Sequence, residues 1–290
     1  MESIYKDRGV FMNKIKLIAS DLDGTLLTSQ KEITPRLQKA LTSIHEMGIF
    51  FVPSTGRPFA ALPTCVKELP FLKYVITSNG AAVYDAEQKQ NLFQSLLSAE
   101  AVEKTVKTVK GLPILTEFFI DGKAYISQDA YDNLSRYHLT DTHMKYTRAT
   151  RIPLSDFWGA LEKQKDILEN INLVFSDMEM KDHIWQTLKE TGLASVTASS
   201  EKNIEVTSLM ATKAHALSHL CGILDIPREN VLALGDRDND LPMLEFAGTG
   251  VAMENGEDHI KKVADFVTKS CDDFGAAIVL EQIIEKGELS

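Results

Sequence analysis

The sequence predicts an α/β protein: a doubly wound, mostly parallel, Rossmann-like sheet carrying an inserted α+β domain. Two observations predict the sheet. Six short apolar runs, KLIAS, IFFVPS, YVITS, VLAL, GTGVAM and DFVTKS, run into small or polar residues, and continuous apolar runs of this length mark strands buried on both faces. Helical patterns lie between several of them, and strands alternating with helices mark a parallel sheet. A third observation predicts the insert. From residue 85 to 207 the pattern changes to helices mixed with short strands and a hairpin.

Taken in chain order, KLIAS is the first strand and ends at Asp21. TPRLQKALTSIHEMG carries apolar residues at 37, 40, 41, 44 and 47, close to a 3.6-residue period, with Thr34-Pro35 as cap and first turn and Gly48 as stop. IFFVPS runs to Thr55 and YVITS to Asn79. The polar break YDAEQKQN opens the insert, where LLSAEAVEKTVKTVKG and FWGALEKQKDILEN read as helices. PILTEFFIDGKAYIS, NINLVFS, ASVTAS and NIEVTS read as strands, and Asp121-Gly122 between two apolar stretches predicts a hairpin. TKAHALSHLCGILDI is the next helix and stops before Pro227. VLAL, GTGVAM and DFVTKS complete the sheet, ending at Gly235-Asp236, Glu254-Asn255 and Cys271-Asp272. The predicted sheet domain is therefore 12–84 with 208–290, and the insert is 85–207. Ligands of such sheets bind beyond the carboxyl ends of the strands, so these polar ends are expected to meet in one crevice.

Composition narrows the function. The 290 residues are 44% hydrophobic, enough to build a core for one large domain or two modest ones. A net charge of −10 argues against nucleic acid as the main partner, because binding to a phosphate backbone needs clustered Lys and Arg. An anionic substrate must then be drawn in by local charge, against the overall field. Cys65, Cys221 and Cys271 are far apart and form no CxxC, so they read as free thiols of a cytoplasmic protein. No apolar run is long enough for a membrane span. The start, MESIYKDRGVFMNK, has no continuous apolar segment of a signal peptide, and with Met12 just before the first strand, residues 1–11 read as an extension or a start-site artefact.

The chemistry begins at SDLDGTLL, which places Asp21 and Asp23 at the mouth of a core strand. Two ionised carboxylates this close demand a cation or a raised pKa. Magnesium takes one or two carboxylates together with substrate phosphate and water. The pair can also divide labour, one ionised as nucleophile and one protonated at rest as general acid and then base. The plain alternative is an Asp-Gly surface turn. A second acidic cluster, Asp236, Asp238, Asn239 and Asp240 in GDRDND, follows another buried strand. Its plain alternative is a turn in which Asp240 caps the following helix. STGRP supplies Thr55, Gly56 and Arg57 to hold an anion. Lys213 starts a helix, where a cation is disfavoured unless it meets an anion.

In this order the set resembles the haloacid dehalogenase superfamily of phosphohydrolases, in its Cof-type branch with a class IIB cap. Asp21-Leu22-Asp23-Gly24-Thr25-Leu26-Leu27 is similar to motif one, Thr55-Gly56-Arg57 to motif two, Lys213 to motif three and Gly235 to Asp240 to motif four. SNGAAVYD, GVAMENG and ADFVTKSCDDFGAA are similar to that branch in kind and order, and the long interval between motifs two and three is where a large cap sits. The resemblance implies a Mg²⁺-dependent phosphatase acting on a small phosphorylated metabolite, a sugar phosphate, through an aspartyl-phosphate. It implies Asp21 as nucleophile and Asp23 as general acid/base. Asp21, Asp236 and the backbone carbonyl of Asp23 would bind the metal, while Thr55, Gly56, Lys213 and Asn239 would hold the phosphoryl group. Asp240 and Asn255 would support them from behind. Two departures, Ala214 and Gly256 where the family favours Gly and Ala, touch no implied catalytic atom.

The remaining features carry less. His215 and His219 are four apart but lack the glutamate of HExxH, which leaves a structural role ahead of a zinc site. Segment 131–148 offers Arg136, Tyr137, His138, His143, Lys145, Tyr146 and Arg148 as cap residues that contact the leaving group, or as ordinary polar surface. The assembly is expected to be a monomer or homodimer. Two other functions stay open: a phosphosugar mutase with the same nucleophile, and a non-catalytic phospho-ligand sensor.

Overall fold

The structure, a computed structural model, describes residues 15–287; residues 1–11 and Met12, read above as an extension and a second start, lie outside the described residues. Strand β1 (Leu17–Ser20) leads to helix α1 (Pro35–Glu46), β2 (Phe50–Pro53), the single turn α2 (Thr64–Lys67) and β3 (Tyr74–Thr77). A hairpin, β4 (Ala82–Asp85) and β5 (Gln90–Gln94), precedes α3 (Ala99–Val109), β6 (Leu115–Ile120) and β7 (Lys123–Ser127). Then come α4 (Gln128–Asp132), α5 (Asp141–Thr150), β8 (Arg151–Leu154), α6 (Phe157–Lys163), β9 (Asn170–Val174) and α7 (Met178–Glu190). After β10 (Ser195–Thr197) and β11 (Asn203–Thr207) the chain continues through α8 (Lys213–Leu224), β12 (Val231–Gly235) and α9 (Leu241–Phe246). It ends with β13 (Thr249–Met253), α10 (Asp258–Val263), β14 (Phe266–Thr268) and α11 (Gly275–Gly287).

Five strands form a parallel sheet in the order β14-β13-β12-β1-β2. Alternate residues of its strands feed two apolar layers. Ile18, Phe51, Leu232 and Val251 pack with α1 and α11 on one face, and Leu17, Ala19, Val52 and Ala233 pack with α8, α9 and α10 on the other. That two-sided burial is why these strands read as unbroken apolar runs. The predicted cap of α1 is present: the Thr34 hydroxyl accepts from Leu37 N, Pro35 opens the helix, and Leu37, Ala40, Leu41 and Ile44 are buried. Met47, expected on the same stripe, is exposed at the helix end.

Two differences stand out. YVITS, expected in the parallel sheet, forms β3 of a separate three-stranded antiparallel sheet, β3-β4-β5; among the described residues its strand pairing with the parallel sheet is one isolated parallel bridge, Ser54 to Ile76. The cause is the tight turn after Thr77, which folds β4 back onto β3 before a helix can cross over. FWGALEKQKDILEN is helical only to Lys163 and finishes in a short 3₁₀ turn.

The second large sheet has the order β10-β11-β9-β6-β7-β8 and is antiparallel except for β7 and β8. The predicted hairpin joins β6 and β7: Asp121 and Gly122 both have positive φ, 48° and 67°, the signature of a type I′ turn. One face of this sheet buries Phe118, Ile120, Ile171, Leu173, Ile204 and Val206 beneath α3, α6 and α7. The residues between them, Glu117, Asn172 and Glu205 among others, point to the opposite face. No helix among the described residues is long and apolar enough to cross a membrane.

One glycine sets the start of α8. Gly80 has φ +93°, and a Cβ there would stand 2.1 Å from the carbonyl oxygen of Thr212. Gly80→Ala is therefore expected to cost about 3 kcal/mol from backbone strain and overpacking, lowering Tm by roughly 6–12 °C. A thermal melt with Tm unchanged would contradict this packing.

Candidate active site

Asp21 and Asp23 leave the carboxyl end of β1 in a tight loop. Asp21 N donates to Leu234 O, Leu26 N to Asp21 O and Leu27 N to Leu22 O, at 3.0, 3.2 and 2.9 Å. Leu22 is fully buried between the two acids, so they emerge as separate groups. Gly24 has φ +97°, and a Cβ on it would lie 2.5 Å from Asp236 Oδ2. The loop thus has to be glycine for the two acidic clusters to meet. The Thr25 hydroxyl donates to Asp236 Oδ1 at 2.8 Å.

Lys213, the first residue of α8, is completely buried. Its Nζ donates to Asp21 Oδ1 and Asp240 Oδ1, both at 2.6 Å. Burial alone would lower this amine, but Asp21 and Asp240 outweigh it and raise it. Burial pushes Asp21 well above the usual carboxylate range against the pull of Lys213, and Asp240 and Asp236 add to the rise. Asp236 is pushed up to about 6 by burial and then by Asp240. Asp240 does not cap its helix with its side chain, as the plain reading had it. Its Oδ2 accepts from Asp236 N and Arg237 N at 2.9 and 3.1 Å, which pins the loop to the lysine. Asp238 turns outward to His259.

Asp23, expected to rest protonated, instead faces two cations. Arg57 Nε and Nη2 donate to its two carboxylate oxygens at 2.7 and 2.8 Å, and Lys31 Nζ lies 2.8 Å away. Burial would raise Asp23, but the hydrogen bonds and charge of Arg57, then Lys31, hold it well below the usual carboxylate range. Thr55 is buried, and its hydroxyl accepts from Arg57 N at 3.2 Å. Gly56 sits beside Asn79 and Glu205, and Asn239 Nδ2 donates to Asn79 Oδ1 at 3.0 Å. Asn255 Nδ2 donates to Gly24 O at 2.8 Å and its Oδ1 accepts from Cys271 N at 2.9 Å, tying the motif-one loop to the chain after β14.

A cleft of about 790 Å³ opens over these groups, lined by Asp21, Asp23, Thr55, Gly56, Arg57 and Asn239 from the strand ends. The inner face of the six-stranded sheet closes its other side. Of the cap candidates, His143 and Tyr146 line it. Arg136 is exposed and paired with Asp129 at 2.9 Å. Tyr137 packs beside Leu134 and Val174 in a small apolar cluster, and Arg148 lies over the Tyr131 ring. These three, with His138 and Lys145, are not among the lining residues. His219 stacks on the Phe93 ring and His215 meets the same ring edge-on, so the pair packs in an aromatic cluster.

The lining also includes Arg151, Asn172, Asn203 and Glu205, none of them singled out from sequence. Arg151 pairs with Glu117 through Nε and Nη2 at 2.7 and 2.9 Å and lies over Tyr146, whose ring also meets Arg57. Burial would raise Glu117, but the charge and hydrogen bonds of Arg151 hold it low. The signal was available in NINLV and NIEVT: polar residues at every second position of an otherwise apolar strand mark one face turned to a polar site.

Asp21, Asp236 and Asp240 each bring a carboxylate oxygen within 4.8 Å of the others. Both oxygens of Asp240 are occupied by Lys213 and by backbone amides. Asp21 and Asp236 remain as hard oxygen donors in a group that, among the described residues, contains no Cys or His, a set that suits a hard divalent cation.

The model of the haloacid dehalogenase-like hydrolase family matches residues 18–280. The chain is 29% identical to Phosphatase YwpJ of Bacillus subtilis over 93% of this chain and 100% of that one. It is 28% identical to the B. subtilis 5-amino-6-(5-phospho-D-ribitylamino)uracil phosphatase YcsE, over 91% of this chain and 93% of that one. A solved haloacid dehalogenase-like hydrolase from B. subtilis superposes with a TM-score of 0.79 at 29% identity, covering 92% of this chain and 99% of that one. With the four motifs gathered at one end of a parallel sheet, this chain belongs to the haloacid dehalogenase-like hydrolase family and is a phosphatase.

Proposed function

We propose that the enzyme hydrolyses the phosphate ester of a small polyhydroxylated metabolite, a sugar or sugar-alcohol phosphate, through an aspartyl-phosphate on Asp21 with Mg²⁺ as cofactor. One observation carries this reading: Asp21 is held at 2.6 Å by a fully buried Lys213 and faces a cleft whose floor also holds Asp23, Thr55 and Asn239. Asp21 and Asp236, with the backbone carbonyl of Asp23, would hold the ion, since the Asp23 carboxylate is engaged by Arg57. When bound, Mg²⁺ supplies positive charge against the phosphoryl oxygens.

The protein groups divide the rest. Thr55, Gly56, Lys213 and Asn239 hold the phosphoryl group in line with Asp21. An Asp21 oxygen forms a bond to phosphorus as the bond to the leaving oxygen breaks. Asp23 gives that oxygen a proton, then takes one from the water that displaces phosphate from Asp21. For this Asp23 must first bind a proton. The incoming dianion competes for Arg57 and adds negative charge nearby, and both effects raise Asp23. Residues 85–207 would act as the cap that reads the leaving group. Its side of the cleft offers the amides of Asn172 and Asn203, the hydroxyls of Ser199 and Ser200, and Glu205. Such groups match a ring of hydroxyls better than an apolar ligand, and YcsE, by name, acts on a phosphorylated ribityl compound.

The test is phosphate release from a panel of sugar, sugar-alcohol, nucleotide and aryl phosphates. Turnover is expected with Mg²⁺, at background level in EDTA, and restored on adding Mg²⁺ back, with polyol esters ahead of nucleotides. Folded protein with no turnover in Mg²⁺, or full turnover in EDTA, would overturn the reading.

A further inference from the structure

Two buried glutamates, Glu205 in β11 and Glu169 just before β9, reach across to one turn of the neighbouring sheet. That turn, Ser78-Asn79-Gly80, joins β3 to β4, and Ser78 and Asn79 hold the left-handed conformation, with φ 50° and 57°. Its backbone is stitched to the phosphate loop: Ser78 N donates to Arg57 O at 3.1 Å and Asn79 N to Thr55 O at 3.0 Å. Its side chains face the other way. Ser78 Oγ donates to Glu169 Oε2 at 3.0 Å, and Asn79 Nδ2 donates to Glu205 Oε2. Asn79 Oδ1 then accepts from Asn239 Nδ2. A line of hydrogen bonds therefore runs from Asn239, at the floor of the cleft, through Asn79 to Glu205. It passes against Gly56, where a Cβ would stand 3.0 Å from Asn79 Oδ1 and 3.3 Å from Glu205 Oε1.

The direction of this line has a cause. A side-chain amide presents a carbonyl at one edge and N–H groups at the other, so two amides in contact can be satisfied in either of two orientations. A carboxylate accepts only. Glu205 Oε1 already takes the Ser199 hydroxyl at 2.8 Å and Asn203 Nδ2 at 3.3 Å, and its Oε2 takes Asn79. With every neighbour donating to Glu205, Asn79 must turn its amino group that way and its carbonyl toward Asn239. Asn239 then spends one N–H on Asn79 and keeps the other in a single direction.

We infer that Glu205 is a positioning residue: through Asn79 it orients the Asn239 side-chain amide, so the phosphoryl site is complete only when the six-stranded sheet is docked on the Ser78–Gly80 turn. This rests on the assignment of Asn239 to the phosphoryl group under the proposed function. It differs from a contact between Glu205 and the leaving group, because a misplaced Asn239 slows every substrate alike.

The experiment is a double-mutant cycle of Glu205→Gln and Asn239→Ala, read on p-nitrophenyl phosphate, whose leaving group has no hydroxyls beyond the ester oxygen. Glutamine keeps the shape but can donate to Asn79, which removes the directional constraint. Glu205→Gln is expected to lower kcat about tenfold or more with KM within twofold, and to change kcat less than twofold once Asn239 is alanine. Independent, multiplying effects would overturn the inference, as would a loss confined to KM for sugar phosphates. Glu169→Gln, which touches the same turn through Ser78 but is not joined to Asn239, is expected to lower Tm and leave kcat in place; an equal kcat loss there would refute the specific route through Glu205. A wild-type protein with no turnover refutes the functional reading instead. Amide exchange then decides: the Ser78–Gly80 and Asp236–Asp240 amides exchange faster in Glu205→Gln if the line holds, and at wild-type rates if it does not.

Discussion

Asp21→Asn removes turnover, by about 10⁴-fold or more, and leaves the fold intact. The size follows from the role. An amide oxygen is a far weaker nucleophile than a carboxylate, and no other group on the cleft floor stands where Asp21 does. Asp23 is turned into Arg57 and Lys31, and Asp240 lies behind Lys213 with both oxygens taken. Retention of the fold follows from the electrostatics. Burial and three neighbouring carboxylates raise Asp21, with Lys213 as the opposing pull, so this site strains toward losing negative charge. Asparagine keeps the shape and an acceptor for Lys213, which also retains Asp240. Tm is therefore expected at or above the wild-type value, the usual behaviour of a group kept for activity at the expense of stability. Phosphate release and a thermal melt on the same preparation check both halves. Near wild-type turnover would overturn the nucleophile assignment, and a large fall in Tm would mean that Asp21 is chiefly a structural partner of Lys213.

How much was legible depends on where each constraint lies. Strand ends of a parallel sheet are close in space whatever the loops do, so Asp21, Thr55 and Asp236 could be placed together from apolar runs and their polar endings alone. Lys213 was legible for a different reason: a cation in the first turn of a helix opposes the dipole, and that conflict asks for an anion. The structure supplies two. Alternation in NINLV and NIEVT marks a polar face, but which of its residues meet depends on sheet register. Asn172, Asn203 and Glu205 come together because Asn172 pairs opposite Glu205 and Asn203 opposite Val174 across β9 and β11, and no local pattern states that register. The resting state of Asp23 was hidden for the same reason. The sequence shows Arg57 beside the phosphate loop but not that its guanidinium turns back to grip the motif-one acid. Segment 131–148 misled in the other direction, since rich polar and aromatic content says nothing about which side of a short helix faces the cleft. Only His143 and Tyr146 do so among its named residues.

Lys213→Met is expected to abolish turnover and also to destabilise the protein, which separates it from Asp21→Asn. The methionine fills much of the volume, so packing is nearly conserved and charge decides. Removing a buried cation from two carboxylates leaves them uncompensated, a cost of about 3–5 kcal/mol. For a chain of this length that lowers Tm by roughly 6–20 °C. The deficit should depend on pH in a definite sense. Lys213 is the main force pulling Asp21 down against burial, so without it Asp21 rises further. A carboxyl raised in the folded state holds its proton more tightly there than in the unfolded chain. The stability it contributes is present at low pH and lost as pH rises through the folded value. The variant should therefore be closest to wild type in mild acid and fall behind toward neutral pH, when both are melted in EDTA. Adding Asp240→Asn to Lys213→Met removes one of the stranded carboxylates and should restore part of the loss, a coupling expected only of groups in direct contact. A deficit equal at all pH values, or unrelieved by the second substitution, would show that Lys213 stabilises the fold by packing and not by holding the two acids of the site together.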